Sequence, residues 1–310
     1  MNRQVIKPAD RSEWLKLRVQ DVTSTEVSAL FGLSPYLTAF ELWHNKREAT
    51  VVEIPDNERL RWGRRLQDAI AAGIAEDNSW QAEPMTEYIR LPGIRAGASF
   101  DWRMIDGHAR LGVFEIKSVD YSVFKRDWYE EDGKLFAPDH IETQLQHQLL
   151  VSGYEWGAIG VLVGGNTPRT LIRERDAEVG RGLEAAVREF WASIESGTPP
   201  APDFTRDVDT IRRIYGLGEP GKLLNARGNE KIRALCERRA AALKAEGDAK
   251  TEKDACTAEL LTLIGSAEKT LVDGYSISAA MRSAYRVEAY DVAPRRDFRV
   301  TPLKAKKGKA

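Results

Sequence analysis

The sequence has 310 residues and a mass of 34.8 kDa, with 42% hydrophobic and 30% charged residues, which fits a globular chain of one large domain or two at most. No apolar run approaches the ~20 residues of a membrane span, and the opening MNRQVIKPADRSEW lacks the apolar stretch of a secretory signal, so a cytoplasmic protein with no membrane partner is expected. The 46 Lys+Arg against 47 Asp+Glu leave a net charge of −1, so nucleic-acid binding would require segregated charge, and Cys236 and Cys256 alone exclude a disulfide scaffold, a zinc ribbon or a four-cysteine iron–sulfur site.

Residues 13–19 carry Trp14, Leu15 and Arg18 and read as a helix. Thr23-Ser24-Thr25-Glu26 has the spacing of a capping box, which predicts a helix from Thr23 through Val27, Leu30 and Phe31 to Gly32, a residue suited to a left-handed end. Thr38-Ala39-Phe40-Glu41 repeats that spacing ahead of Leu42 and Trp43. Leu60, Leu66, Ile70 and Ile74 then form one apolar stripe on a helix over 59–76. Beyond it the segments 87–91, 94–103, 111–119, 157–163 and 169–175 are short, partly alternating and bounded by turn residues, and they predict strands. Helical spacing returns at 141–151 and 177–196, so the element order predicts an α/β (α+β) fold with a central mixed β-sheet flanked by helices. The Gly/Pro-rich stretch 197–202 separates a core over 1–204 from an extension over 205–310. Within the extension, 225–271 is rich in Ala, Glu, Lys and Arg and predicts a helical hairpin interrupted near Gly247. A strand pair at 275–287 and 299–303 and a basic tail over 304–309 are expected to follow.

The residues that bear chemistry centre on Ser99-Phe100-Asp101, followed after thirteen residues by Glu115-Ile116-Lys117. Alternation along a strand puts Glu115 and Lys117 on one face and Phe114 and Ile116 on the other. If Asp101 lies on the neighbouring strand, two hard oxygen ligands meet beside one lysine, which suits Mg²⁺ holding a phosphate and a water. A tight turn at Asp106-Gly107 would set Asp101 opposite Gly112, about 10 Å along the strand from Glu115 at ~3.3 Å per residue. Pairing Asp101 with Glu115 therefore predicts a wider connection centred near His108. An exposed hairpin with an ordinary surface Glu/Lys pair fits the same residues. Upstream, Trp14-x-x-x-Arg18 precedes the Thr23 capping box, so a guanidinium and a positive helix end would together form an anion site. Trp14 as a core aromatic and Arg18 as a surface ion-pair residue is the alternative.

With Trp62-Gly63-Arg64-Arg65-Leu66-Gln67 and Gln144-Leu145-Gln146-His147-Gln148 added, these motifs occur in an order that resembles the phage lambda exonuclease and YqaJ-type viral recombinase family of PD-(D/E)-x-K nucleases. The resemblance spans roughly residues 10 to 200. It implies a restriction-endonuclease-like nuclease core and a Mg²⁺-dependent 5′→3′ exonuclease that acts on 5′-phosphorylated ends of double-stranded DNA and leaves 3′ single strands for phage-type recombination. It assigns metal binding to Asp101, Glu115 and the Ile116 carbonyl, with two Mg²⁺ ions or Mn²⁺ in their place, and water activation to Lys117. Gln144 stands near the metal and the scissile phosphate, while Trp14, Arg18, Thr25 and Ser99 hold the terminal phosphate. A homotrimer enclosing DNA and a single-strand annealing protein as partner are also implied.

Gln67 departs from the family, which presents a glutamate there. It keeps an oxygen but lacks the charge, so weakened metal binding or a DNA-end-binding protein without catalysis is one alternative; a site-specific endonuclease on the same fold is another. Gln146 and Gln148 read as a polar helix face, and His44, His108, His140 and His147 show no metal-ligand spacing. The helical segment and the basic residues over 295–310 could track DNA, support subunit contacts or simply be solvated.

Overall fold

Capping side chains set most of the helix starts. Asp10 Oδ1 accepts from Glu13 N at 2.8 Å and opens α1 (Arg11–Gln20), Thr38 Oγ1 accepts from Glu41 N at 3.0 Å and opens α2 (Ala39–Arg47), and Asn57 Oδ1 accepts from Leu60 N at 3.0 Å and opens α3 (Glu58–Asp77). The computed structural model describes residues 2–51 and 56–284, and the chain divides into a unit of residues 1–210 and a second unit from Ile211 onward.

The first unit contains two larger sheets and a separate two-stranded hairpin, rather than the single central sheet expected. One has four strands in the order β1 (Gln4–Ile6), β4 (Tyr88–Leu91), β5 (Ala96–Ser99), β2 (Val22–Thr23), antiparallel except for the β5/β2 pair. The other has five strands in the order β11 (Thr167–Glu174), β10 (Trp156–Val163), β7 (Leu111–Val119), β6 (Trp102–Ile105), β3 (Gln81–Pro84), antiparallel except for β10/β7. The expected strand over 94–103 is broken at Phe100-Asp101, where the chain leaves one sheet and enters the other. Phe100 is buried in the larger core with Leu91, Ala98 and Val113, and Asp101 is left at the junction.

Helices cover both faces of β7. Phe114 and Ile116 pack with Ile70 and Ile74 of α3, whereas Val113 packs with Leu145 and Leu149 of α5 (Asp139–Ser152). This is the alternation read from sequence, with each face buried by a different helix. α4 (Tyr121–Asp127) and the short hairpin β8 (Tyr129–Glu131) and β9 (Lys134–Phe136) connect β7 to α5, and α6 (Ala177–Ser196) closes with Gly197 at φ 73°. β1, β3 and this hairpin escape the sequence pattern because they are three or four residues long and carry few apolar positions.

α7 (Val208–Ile214) lies at the start of the extension, where the structure corrects two expectations. A single helix, α8 (Glu230–Ile264), runs for 35 residues with Gly247 inside it, in place of a hairpin. One glycine costs about 1 kcal/mol relative to alanine, which the surrounding helix formers and pairs such as Lys244–Asp248 outweigh. The strand after it, β13 (Tyr275–Ser278), pairs back with β12 (Lys269–Val272) across Asp273-Gly274, Gly274 having φ 82°. Asp-Gly between short alternating runs is a hairpin signal that the sequence reading passed over. The expected strand over 299–303, the Arg295–Arg299 segment and the basic tail lie outside the described residues.

Candidate active site

The register of β6 and β7 pairs Trp102 with Phe114 and Ile105 with Leu111, so the ladder centres on His108, and its continuation sets Asp101 opposite Glu115. The wider connection expected over 106–110 is present, held by Asp106 Oδ1 accepting from His108 N and Arg110 N at 2.9 Å each. Asp101 Oδ2 accepts from Ile116 N at 2.9 Å. In an extended strand the carbonyl of a residue leaves on the same edge as its N–H, so the Ile116 carbonyl also faces the Asp101 side.

Glu115 is buried, and both oxygens of its carboxylate accept hydrogen bonds. Oε1 accepts from Lys117 Nζ and Gln144 Nε2, both at 2.6 Å, and Oε2 accepts from Gln148 Nε2 at 2.7 Å. Lys117 Nζ also reaches Gln144 Oε1 at 3.4 Å. Gln148 is thus corrected from a bland polar position to a member of the site, and its Nε2 further donates to the Ser99 carbonyl at 3.2 Å. The i, i+4 spacing of Gln144 and Gln148 on α5 was the signal for it. Gln146 is structural, bonding Glu174 O at 2.9 Å and Asp176 N at 3.0 Å.

Gln67, on α3, hydrogen-bonds Asp101 from its side chain and stabilises the charged carboxylate. Even so, loss of solvent around the Asp101 carboxyl, followed by the charge of Glu115, pushes its pKa up to about 7 against the opposing pull of Lys117. Burial lowers the Lys117 ammonium, but Glu115 and Asp101 outweigh it and hold it above the usual lysine range. Two carboxylates facing one ammonium therefore leave an excess negative charge. Asp101, Glu115 and the Ile116 carbonyl are hard oxygen donors and fit a divalent cation such as Mg²⁺. Among the described residues no group of three His, Cys, Asp or Glu gathers at one point, and the Gln67 amide beside Asp101 adds no charge to the two carboxylates. The charge present suits one such ion, and a second would rest on neutral oxygens.

The second cluster brings Trp14, Arg18, Thr25 and Ser99 together. Trp14 Nε1 donates to Ser99 Oγ at 2.7 Å, the Arg18 guanidinium lies 4.7 Å from the Trp14 ring centre, and Arg18 Nη2 donates to Thr25 Oγ1 at 3.1 Å. The predicted α-helix from Thr23 is corrected: Thr23 belongs to β2, and only a 3₁₀ turn, Val27–Phe31, precedes Gly32 at φ 70°. Half of the capping box does form, since Glu26 Oε2 accepts from Thr23 N at 2.9 Å and from Thr23 Oγ1 at 2.8 Å. Pairing of β2 with β5 fixes Thr23 as extended backbone, so an anion site here would rest on the guanidinium and hydroxyls, not on a helix end.

Lys46, which the sequence reading missed, supports this cluster from α2. Its buried ammonium donates to Glu26 Oε2 at 2.8 Å and to the Arg18 carbonyl at 2.7 Å. His147 is buried with Nδ1 2.9 Å from Ser24 Oγ, and burial lowers its pKa to about 4, so it is neutral at physiological pH. His44 packs against Phe40 and Trp43, and the His108 main chain serves the 106–110 loop.

Residues 13–155 match the family described as the YqaJ-like viral recombinase domain. The chain is 28% identical over 228 residues to the uncharacterized protein YqaJ of Bacillus subtilis (strain 168), covering 72% of this chain and 69% of that relative. Among solved structures it is similar to the alkaline exonuclease LHK-Exo from Laribacter hongkongensis, with TM-score 0.45 and 18% identity, and to LHK-Exo in complex with dAMP, with TM-score 0.47 and 17% identity. Each of these covers 66% of this chain and 97% of the other. Both clusters lie inside the span of residues 13–155 that is similar to the YqaJ-like viral recombinase domain.

Proposed function

We propose that the chain is a Mg²⁺-dependent deoxyribonuclease that digests double-stranded DNA from its ends in the 5′→3′ direction, producing 3′ single strands for recombination. One observation carries this reading: the carboxylate–lysine cluster and the cationic Arg18 cluster are tied together by Gln148, which bonds both Glu115 and the Ser99 carbonyl. A terminal phosphate on one cluster then sets the adjacent phosphodiester at the other.

Arg18, with the Thr25 and Ser99 hydroxyls, receives the 5′-phosphate, and Trp14 backs the guanidinium. Asp101, Glu115 and the Ile116 carbonyl would hold Mg²⁺, or Mn²⁺ in its place. Such an ion would supply charge neutralisation at the scissile phosphate and would lower the pKa of the attacking water. Lys117 orients that water, and Gln144 and Gln148 keep Glu115 in position. A homotrimer enclosing the duplex would confer processivity, and a single-strand annealing protein would take up the product.

Gln67 favours a second reading, a DNA-end-binding protein with feeble catalysis, because a neutral amide stands beside Asp101. Incubation with blunt, 5′-phosphorylated linear duplex and with covalently closed circular DNA tests both. The exonuclease reading expects loss of the linear strand from its 5′ end in Mg²⁺ but not in EDTA, with the circle intact. Cutting of the circle indicates an endonuclease. Binding without cutting, with cutting restored by Gln67→Glu, indicates the end-binding protein.

A further inference from the structure

The loop of residues 33–38, between the 3₁₀ turn and α2, is anchored from several sides yet presents its largest side chain to solvent. Ser34 is buried, and its Oγ accepts from Tyr36 N at 3.3 Å and Leu37 N at 3.2 Å. The Ser34 carbonyl accepts from Arg206 Nη2 at 2.6 Å. At the other end Thr38 caps α2 and donates to Asp207, a fully buried carboxylate that also accepts from Asp203 N at 2.7 Å. The backbone is therefore fixed while the Tyr36 side of the loop faces water, the residue being 84% exposed. An aromatic ring held this way loses little conformational freedom when something binds its face.

Three observations put Tyr36 between the two ends of the site. It borders the same cavity as Arg18 and Thr25, a space of about 320 Å³. Its ring meets His140 edge to face, with centres 5.8 Å apart and planes at 86°. Both Tyr36 and His140 lie within electrostatic reach of the Lys117 ammonium. A nucleotide whose 5′-phosphate rested on Arg18 and whose 3′-phosphodiester lay beside Lys117 would bring its base toward this ring.

We propose that Tyr36 is a stacking platform for the base of the 5′-terminal nucleotide, a positioning residue that holds the unstacked end in register for hydrolysis. The proposal rests on the nuclease reading above. Stacking is tolerant of base identity because every base has a π-face, which suits a site that must accept each base in turn. His140 steadies the ring by its edge contact, and burial together with Lys117 keeps its imidazole below the usual pKa, so it adds no competing charge.

The test uses the full chain and a blunt, 5′-phosphorylated duplex carrying 2-aminopurine as its 5′-terminal base, with Ca²⁺ for binding and Mg²⁺ for turnover. Tyr36→Ala should raise KM roughly tenfold while kcat changes by less than about threefold, because base–aromatic stacking is lost. Emission from the bound 2-aminopurine should be higher with Tyr36→Ala than with the native chain. Tyr36→Phe and Tyr36→Trp, which keep a ring, should restore both readouts. Native KM and native emission in Tyr36→Ala would overturn the proposal and leave the nuclease reading standing. An equal defect in Tyr36→Phe would also overturn it, by assigning the effect to the hydroxyl. Ring-dependent quenching by a chain that cuts no DNA would sink the nuclease reading and leave the stacking site, and loss of both would sink both.

Discussion

Around Asp101 the fold gathers two carboxylates against one ammonium, while around Arg18 it meets a guanidinium with two hydroxyls and an indole ring. The first arrangement leaves surplus negative charge in a place where solvent is partly stripped away, and the raised Asp101 pKa registers that stress. The second leaves cationic hydrogen-bond donors facing acceptors far weaker than a phosphate. Each cluster is thus incomplete in the opposite sense, one toward a cation and the other toward an anion. A metal-bound phosphodiester next to a terminal phosphate, as proposed above, would satisfy both at once. The contrast is enforced by support residues: Gln144 and Gln148 brace the anionic end, and Lys46 with Glu26 braces the cationic one.

The sharpest way to break this contrast is to remove Asp101 or Lys117. Either alanine substitution should lower cleavage by at least about 10³-fold. Calorimetry should separate them: Asp101→Ala loses Mg²⁺ binding, whereas Lys117→Ala retains it. Equal loss of Mg²⁺ in both would refute the division of roles. Asp101→Asn offers a further check, because a folded pKa raised above the unfolded value makes ionised Asp101 a stability cost as pH rises from about 4 toward 7. In metal-free buffer at pH 8 this variant should melt above the native chain.

At the cationic end, Arg18→Ala should cost about 1.5–3 kcal/mol on 5′-phosphorylated ends and little on 5′-hydroxyl ends, so the two substrates become nearly equivalent. A matching loss on both would make Arg18 structural.

Gln67→Glu sharpens the contrast by adding charge to the anionic end. A carboxylate is a better ligand than an amide for a hard cation, so activity at low Mg²⁺ should rise several-fold, on the order of 1 kcal/mol. The gain should shrink as pH falls toward and below 7, where the crowded carboxyls take up protons. A flat response across a Mg²⁺ titration would mean that Gln67 has no part in metal binding.

The smallest effect at neutral pH concerns His147, which links Ser24 to α5. Its folded pKa of about 4 lies below the unfolded 6.5, so its share of stability is present above pH 6.5 and is lost as pH falls toward 4, up to roughly 3 kcal/mol. Urea unfolding of His147→Gln should show a flatter dependence over that window.

Local patterns determined much of this protein. The cap at Thr38, the apolar positions Leu66, Ile70 and Ile74 of α3, the limits of α6 and the alternation of β7 are set by residues within a few positions of one another and could be read in order, whereas Leu60, expected on the same stripe, is exposed. The centre of the β6/β7 ladder at His108 followed from one chemical requirement, that Asp101 face Glu115. Capping spacing at Thr23 misled, because strand pairing with β5 overrode a local preference that never had to compete within the sequence alone. Only the tertiary structure decided that the chain changes sheets at Phe100-Asp101, that Gln148 reaches Glu115 across 33 positions, that Lys46 is buried against Glu26, and that Tyr36 stands exposed on an anchored loop. Periodicity fixes which side of an element a residue occupies, but the partner on that side is selected by packing between elements distant in sequence.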